Sequence, residues 1–323
     1  MHGWLIIDKP LGPGSTDIVS KVKRALRDGG YPKLKVGHGG TLDPLASGVL
    51  PVALGEATKL AGRMLDADKV YAFTIRFGEE TDTLDAEGAV VATSEARPTV
   101  AEIDAVLDRF MGEIEQVPPV YSALKVEGKR AYALARAGAE VELKSRRVRI
   151  HSLSIRAEPV EAPSSPLAEE RQERASTSSA RTDLPATGLL SEIALVARVS
   201  KGTYIRSLAR DIARALDSVG HVTMLRRLKA GPFTLATAIS LDKMGELAKA
   251  RQLEQALLPL TAGLDDIPAL PVTPDQAGLL RQGRKLAGIA AKPGLHLATD
   301  ESVPVALVEL SEGELRVVRG FNI

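Results

Sequence analysis

Strands and helices are interspersed along the 323-residue chain without a regular strand–helix repeat or a Gly-x-Gly-x-x-Gly fingerprint, which predicts an α+β fold. Two period-two runs anchor the β part. Tyr71, Phe73, Ile75 and Phe77 alternate with Ala72, Thr74 and Arg76, and Ile193, Leu195, Ala197 and Val199 alternate likewise. A change of texture after Asp265 predicts a second, small, β-rich domain.

Residues 4–7 are a short apolar run closed by Asp8-Lys9-Pro10, readable as a strand leaving a sheet. Ser15 or Thr16 caps a helix whose Ile18, Val22 and Leu26 fall at i, i+4 spacing. Residues 36–50 then set one carboxylate, Asp43, among Gly37, Gly39, Gly40, Gly48 and Pro44. That composition predicts a shaped loop rather than a helix or a strand, because glycine admits backbone conformations other residues avoid. Pro44 drives Asp43 towards an extended conformation, so the carboxylate stands off the loop. Locally such an Asp fits a turn-former, a metal ligand or a nucleophile.

Residues 56–65 read as a second helix, and Thr99 with Glu102 forms a capping-box pattern ahead of Ile103, Val106, Leu107 and Phe110. Val148, Ile150, Leu153 and Ile155 predict a strand that changes phase near Ser152. Lys201-Gly202-Thr203-Tyr204 leads into a helix carrying Ile205, Leu208, Ala209, Ile212 and Leu216. Met224, Leu225 and Leu228 suit the interior of either a helix or a strand. Residues 157–187 are rich in Pro, Ser, Thr, Glu and Arg, hold no aromatic residue, and are predicted to be a disordered insertion. In the C-terminal part, Thr273-Pro274-Asp275-Gln276 caps a short helix, and residues 305–310 and 315–319 flank a turn as a hairpin.

Cysteine is absent, which removes disulfides, thiolate nucleophiles and cysteine-ligated metal in one step. The five histidines show no ligand spacing, so neither a metal nor another cofactor is expected. No run approaches the ~20 apolar residues of a membrane span, and the apolar patch at the start is too short for a secretory signal. A cytoplasmic protein with no membrane association is expected. Basic and acidic residues nearly cancel, 42 against 41, so net charge does not argue for nucleic acid. Local clusters do: Lys21, Lys23, Arg24, Arg27, Lys33 and Lys35; Arg146, Arg147 and Arg149; Arg226, Arg227 and Lys229; Arg281, Arg284 and Lys285. Together they predict a surface that tracks phosphates.

The run Gly37-His38-Gly39-Gly40-Thr41-Leu42-Asp43-Pro44-Leu45-Ala46-Ser47-Gly48-Val49-Leu50-Pro51 resembles the signature motif of the TruB-type tRNA pseudouridine synthases. Asp8-Lys9-Pro10, Lys69-Val70-Tyr71, the 200–206 run ending in Tyr204-Ile205-Arg206, and the 221–228 run around Leu225 are similar to that family in the same order, as is the stretch 116–125. The resemblance spans roughly residues 3–240. It implies a pseudouridine synthase fold, with a mixed, largely antiparallel sheet flanked by helices over residues 1–250 and a PUA-like RNA-binding domain over residues 265–323.

The activity it implies is isomerisation of uridine at position 55, in the TΨC loop of the tRNA T-arm, by a monomer needing no protein partner. Asp43 takes the role of nucleophile, and Arg206 that of its partner, holding the carboxylate bidentately. Tyr71 stacks on the target base and serves the proton step. Tyr204 and Leu225 wall the pocket, His38 fills the space left by the flipped nucleotide, and Lys9 supports the loop or a phosphate. The alternative is a tRNA-binding folding chaperone of the same fold with little or no catalysis. A phosphate-cradling nucleotide site at residues 37–40 lacks the Gly-Lys-Ser/Thr ending of a P-loop.

Overall fold

The computed structural model describes residues 1–122, 124–126, 128–139, 141–156 and 188–323, so the predicted insertion 157–187 lies outside the described residues. Strands are β1 (Gly3–Lys9), β2 (Val36–His38), β3 (Ala46–Leu54), β4 (Lys69–Phe77), β5 (Glu79–Thr81), β6 (Val90–Thr93), β7 (Gly112–Gln116), β8 (Lys125–Val126), β9 (Lys129–Arg130), β10 (Arg146–Ile155), β11 (Glu192–Val199), β12 (Gly220–Ala230), β13 (Phe233–Thr234) and β14 (Leu257–Pro259), then β15 (Ala269–Pro271), β16 (Leu286–Ala287), β17 (Gly294–Asp300), β18 (Val303–Ser311) and β19 (Glu314–Gly320). Helices are α1 (Ser15–Asp28), α2 (Ala61–Asp66), α3 (Val100–Leu107), α4 (Ala131–Arg136), α5 (Ile205–Ala215), α6 (Leu241–Lys249) and α7 (Pro274–Arg281).

The main sheet runs β14-β1-β3-β12-β4-β11-β10-β7, with β2 added at β3 and β13 at β12. Every neighbouring pair is antiparallel except β3 and β12. Around β1 and β3 both faces are covered. On β1, Leu5 and Ile7 pack with Ile18, Val22 and Leu26 of α1, while Trp4 and Ile6 point to the opposite core. Further along, Phe73, Ile75 and Phe77 of β4 and Ile193 and Leu195 of β11 pack against Leu208 and Ile212 of α5 and Ile103 of α3. The C-terminal sheet is ordered β15-β17-β18-β19-β16 around its own core of Val305, Val308, Leu315 and the α7 residues Ala277 and Leu280.

Several expectations hold in detail. The capping box forms, with Thr99 N donating to Glu102 Oε2 (2.7 Å) and Glu102 N to Thr99 Oγ1 (3.3 Å). β10 shifts register between Ile150 and Ser152, where its sequence changes phase. Others are corrected. Within the expected 36–50 loop, residues 36–38 are strand β2 and residues 46–50 begin strand β3; buried almost throughout, β3 has no alternation to betray it. Gly48 sits there at φ +101. The 56–65 helix splits into a 3-10 turn (Gly55–Leu60) followed by α2. At α1 the N-cap is Gly14, and Ser15 turns its hydroxyl elsewhere.

Candidate active site

Asp43 stands on a loop tied down at each step. The Ser15 hydroxyl accepts from Leu42 N (2.8 Å) and donates to Leu42 O (3.1 Å), which is why it does not cap its own helix. Gly12 N donates to Pro44 O at 2.9 Å, Gly39 N to Pro51 O at 2.8 Å, and Ala46 N to Asp43 O at 3.0 Å. Beneath the loop, the fully buried Lys9 ammonium donates to Pro10 O (2.9 Å) and Pro44 O (3.4 Å). Burial pulls the Lys9 pKa down to about 8, against the opposing pull of the Asp43 charge and with a further push from Arg227.

The Asp43 side chain is 43% exposed, whereas its partner Arg206 is only 6% exposed. Arg206 occupies the second position of α5. That helix start is fixed by Gln116, whose side chain accepts from Tyr204 N (2.8 Å) and donates to Tyr204 O (3.1 Å). The expected bidentate grip is not what forms. Arg206 Nη2 reaches Asp43 Oδ2 at 2.8 Å, while Nη1 turns to Asp85 Oδ2 at 3.0 Å. Thr83 O (2.8 Å) accepts a second proton from Nη1 and Tyr121 O (3.0 Å) a second from Nη2. One guanidinium therefore serves two carboxylates, because a buried carboxylate at residue 85 competes for its fork.

Asp85 escaped the sequence reading. Its Oδ1 accepts from Thr83 Oγ1 (2.6 Å) and Glu87 N (3.1 Å), leaving Oδ2 aimed at the guanidinium. The loop is braced to the sheet by Val222 N donating to Leu84 O at 3.1 Å. A signal was present: Thr-Leu-Asp occurs at residues 41–43 and again at 83–85, and both Asp residues meet Arg206.

Asp43, Asp85 and Arg206 form the polar wall of a cleft whose apolar wall includes Leu45, Val222 and Leu225. The other predicted site residues, Tyr71, Tyr204, His38 and Lys9, are not in the wall of this cleft. Tyr71 is half-buried against two core clusters, with its hydroxyl 3.5 Å from Arg227 Nη1. Tyr204 precedes α5, and the Arg146 guanidinium lies over its ring at 5.1 Å from the centroid. His38 ends β2, where burial holds its imidazole below the usual pKa.

The basic clusters divide. Lys21, Lys23, Arg24 and Arg27 on α1, Arg147 and Arg149 on β10, and Arg281, Arg284 and Lys285 around the end of α7 are exposed. Arg226 and Arg227 are not. Arg226 is buried and grips Asp8 with two bonds (3.1 and 2.8 Å), and Arg227 is 1% exposed, so neither belongs to a phosphate-tracking surface. Two adjacent arginines in one strand point to opposite faces of the sheet, and here both faces are covered.

Residues 27–165 match the family model described as TruB family pseudouridylate synthase (N terminal domain), and residues 206–265 match the tRNA pseudouridylate synthase B C-terminal domain. The chain is 59% identical to the tRNA pseudouridine synthase B of Novosphingobium aromaticivorans, covering 100% of this chain and 98% of that protein. It is 57% identical to the protein of the same name from Zymomonas mobilis, covering 100% and 96%. Among solved structures, a Cbf5-Nop10-Gar1 complex matches with a TM-score of 0.68 and 24% identity over 99% of this chain and 84% of the other. An H/ACA ribonucleoprotein bound to a substrate RNA containing 2′-deoxyuridine matches with the same TM-score at 23% identity, over 99% and 85%. At that identity the two structures share the fold.

Proposed function

The chain belongs to the TruB family of pseudouridylate synthases and isomerises uridine to pseudouridine in tRNA; from that premise we propose that its target is position 55 of the T-arm and that Asp43 is its nucleophile. The observation that carries the second point is the asymmetry of the Asp43 carboxylate. Oδ2 is engaged by Arg206, while Oδ1 has no partner among the described residues and the side chain is nearly half exposed beside the cleft.

The reaction breaks the C1′–N1 bond, turns the uracil and joins C1′ to C5, with the C5 proton lost and N1 left bearing one. It is redox-neutral, and it needs a nucleophile that stays aimed while the base departs. A carboxylate with one oxygen anchored by a buried guanidinium meets that need, because the anchor fixes orientation and leaves the second oxygen as nucleophile. Attack at C1′, attack at C6 of the base and assisted loss of the base through a glycal all begin from this placement. Asp85 shares the guanidinium with Asp43 and holds Arg206 through its other terminal nitrogen.

The uridine has to leave its stack to reach the cleft. On this reading Leu225 contributes an apolar wall to the base pocket, Tyr71 the stacking ring and the hydroxyl for the proton step, and Tyr204 a second ring. His38 fills the vacated place in the RNA, and Lys9 carries the Asp43 loop. The exposed cationic face of α1 and the five-stranded C-terminal sheet, read as a PUA-like domain, are the surfaces proposed for the T-arm backbone. The experiment is to map pseudouridine in an unmodified tRNA transcript after incubation with the purified protein. A single new pseudouridine at position 55 is expected; modification elsewhere, or none, would overturn the assignment.

A further inference from the structure

Arg227 is 1% exposed and has no carboxylate partner among the described residues, an unusual state for a permanent cation. Its charge is met by oxygens from three separate segments. Nε donates to Val49 O on β3 at 2.7 Å. Nη1 donates to Thr41 O at 3.1 Å, and Nη2 lies 3.5 Å from Gly40 O, both on the loop that presents Asp43. Nη1 is also 3.5 Å from the Tyr71 hydroxyl on β4.

Two glycines of the Asp43 motif face this residue, and only at Gly48 would a side chain collide with it. Gly40, at φ +148, faces the guanidinium, and a Cβ there would lie 3.5 Å from Nη1. Gly48 pairs with Arg227 across the β3–β12 ladder at φ +101, and a Cβ there would stand 2.2 Å from Arg227 O. The strand also shifts register just after Arg227, which frees the side chain from the regular ladder.

We propose that Arg227 is a positioning residue, a buried guanidinium strap that sets the Asp43 loop at a fixed separation from the Tyr71 phenol. The inference rests on the proposed roles of Asp43 and Tyr71. Arg227 touches neither carboxylate nor substrate; it acts through the Gly40 and Thr41 carbonyls and the Tyr71 oxygen. A planar fork suits the task because its donors point in fixed directions to several acceptors, whereas a lysine ammonium is one flexible point. The Asp43 side therefore moves as a unit with the Tyr71 side, and a shift of about 1 Å between them costs on the order of a hundredfold in rate.

The test compares Arg227→Lys and Arg227→Gln with the parent, using single-turnover pseudouridine formation on tRNA, the tRNA dissociation constant, and amide hydrogen exchange over residues 40–45. The expected result is a folded protein that binds tRNA within about threefold of the parent and turns over about 30-fold or more slowly, with faster exchange confined to the loop. A rate within about threefold of the parent in folded Arg227→Lys would overturn the proposal. So would failure of both variants to fold, which would assign Arg227 to stability alone. Asp43→Asn is measured alongside: if it keeps turning over, the reading of the site itself fails, whereas an inactive Asp43→Asn with an unimpaired Arg227→Lys sinks only the strap.

Discussion

Arg206 divides a single guanidinium between Asp43 and Asp85, so the two carboxylates are coupled through it rather than through each other. Removing charge at residue 85 frees Nη1 and lets the fork rotate towards Asp43. With one anchor lost, the nucleophile is less well aimed. Asp85→Asn should therefore lower the single-turnover rate by about 10- to 100-fold with little change in tRNA affinity; a parent-like rate would show that Arg206 needs only Asp43. Lys9 gives a second residue-scale outcome. Its pKa falls from 10.5 to about 8 in the folded protein, chiefly by burial. Below pH 8 both states hold the proton and the burial penalty is present in full. Between about 8 and 10.5 the folded protein sheds a proton that the unfolded chain still holds, so stability rises with pH through that window. Relative to Lys9→Met, the parent should gain about 2 kcal/mol between pH 7 and pH 9.5 in urea unfolding. The buried Lys69 is present in both proteins and cancels. A stability gap that does not move with pH would contradict the placement of Lys9.

Element by element, the sequence was readable where one face of a strand or helix differs from the other. β4 and β11 alternate, α1 and α5 carry an apolar stripe, and each lies where its pattern put it. β3 and β12 sit at the middle of the sheet with both faces covered, so neither alternates, and β3 carries a glycine and a proline besides. The same burial hid the use of Arg226 and Arg227, because a charged pair in sequence looks like surface until the strand is known to be central. Asp43, Arg206 and Leu225 were legible because they lie inside runs that resemble family motifs, and the structure brings them to one cleft. Asp85 lay in a short loop of ordinary turn composition, and only the echo of Thr-Leu-Asp marked it. Gly48 is the element-scale test. Its positive φ and the 2.2 Å approach of Arg227 O leave no room for a methyl group. Gly48→Ala should cost more than about 2 kcal/mol in urea unfolding, and a cost below about 0.5 kcal/mol would show that β3 and β12 can separate freely.

On the scale of the whole molecule, the C-terminal sheet is joined to the main one through shared core. Leu297, Leu307 and Phe321 pack in one cluster with Trp4, Ile6 and Met64, so apolar side chains close the boundary. Lys59 donates to Gly320 O (2.8 Å), Asn322 N to Glu56 Oε2 (2.8 Å), and Arg63 pairs with Asp266 at 2.8 Å. The main sheet itself reaches β14, past residue 250, where Leu257–Pro259 pairs with β1. A surface that composition presents as a tethered domain is thereby part of the support behind β1 and β3. Phe321→Ala should cost about 3–4 kcal/mol and lower activity in proportion to the folded fraction; a loss below about 1 kcal/mol would mean that the two sheets do not depend on each other.

The reaction expels the C5 hydrogen of its target, so tritium release from tRNA labelled at C5 of uridine reports turnover directly. Measured on Asp43→Asn beside the parent, with tRNA binding followed in the same samples, release should disappear while the dissociation constant stays within about threefold, since the change is nearly isosteric. Sustained release by a folded Asp43→Asn protein would contradict the claim that this carboxylate, held through one oxygen by Arg206, performs the attack.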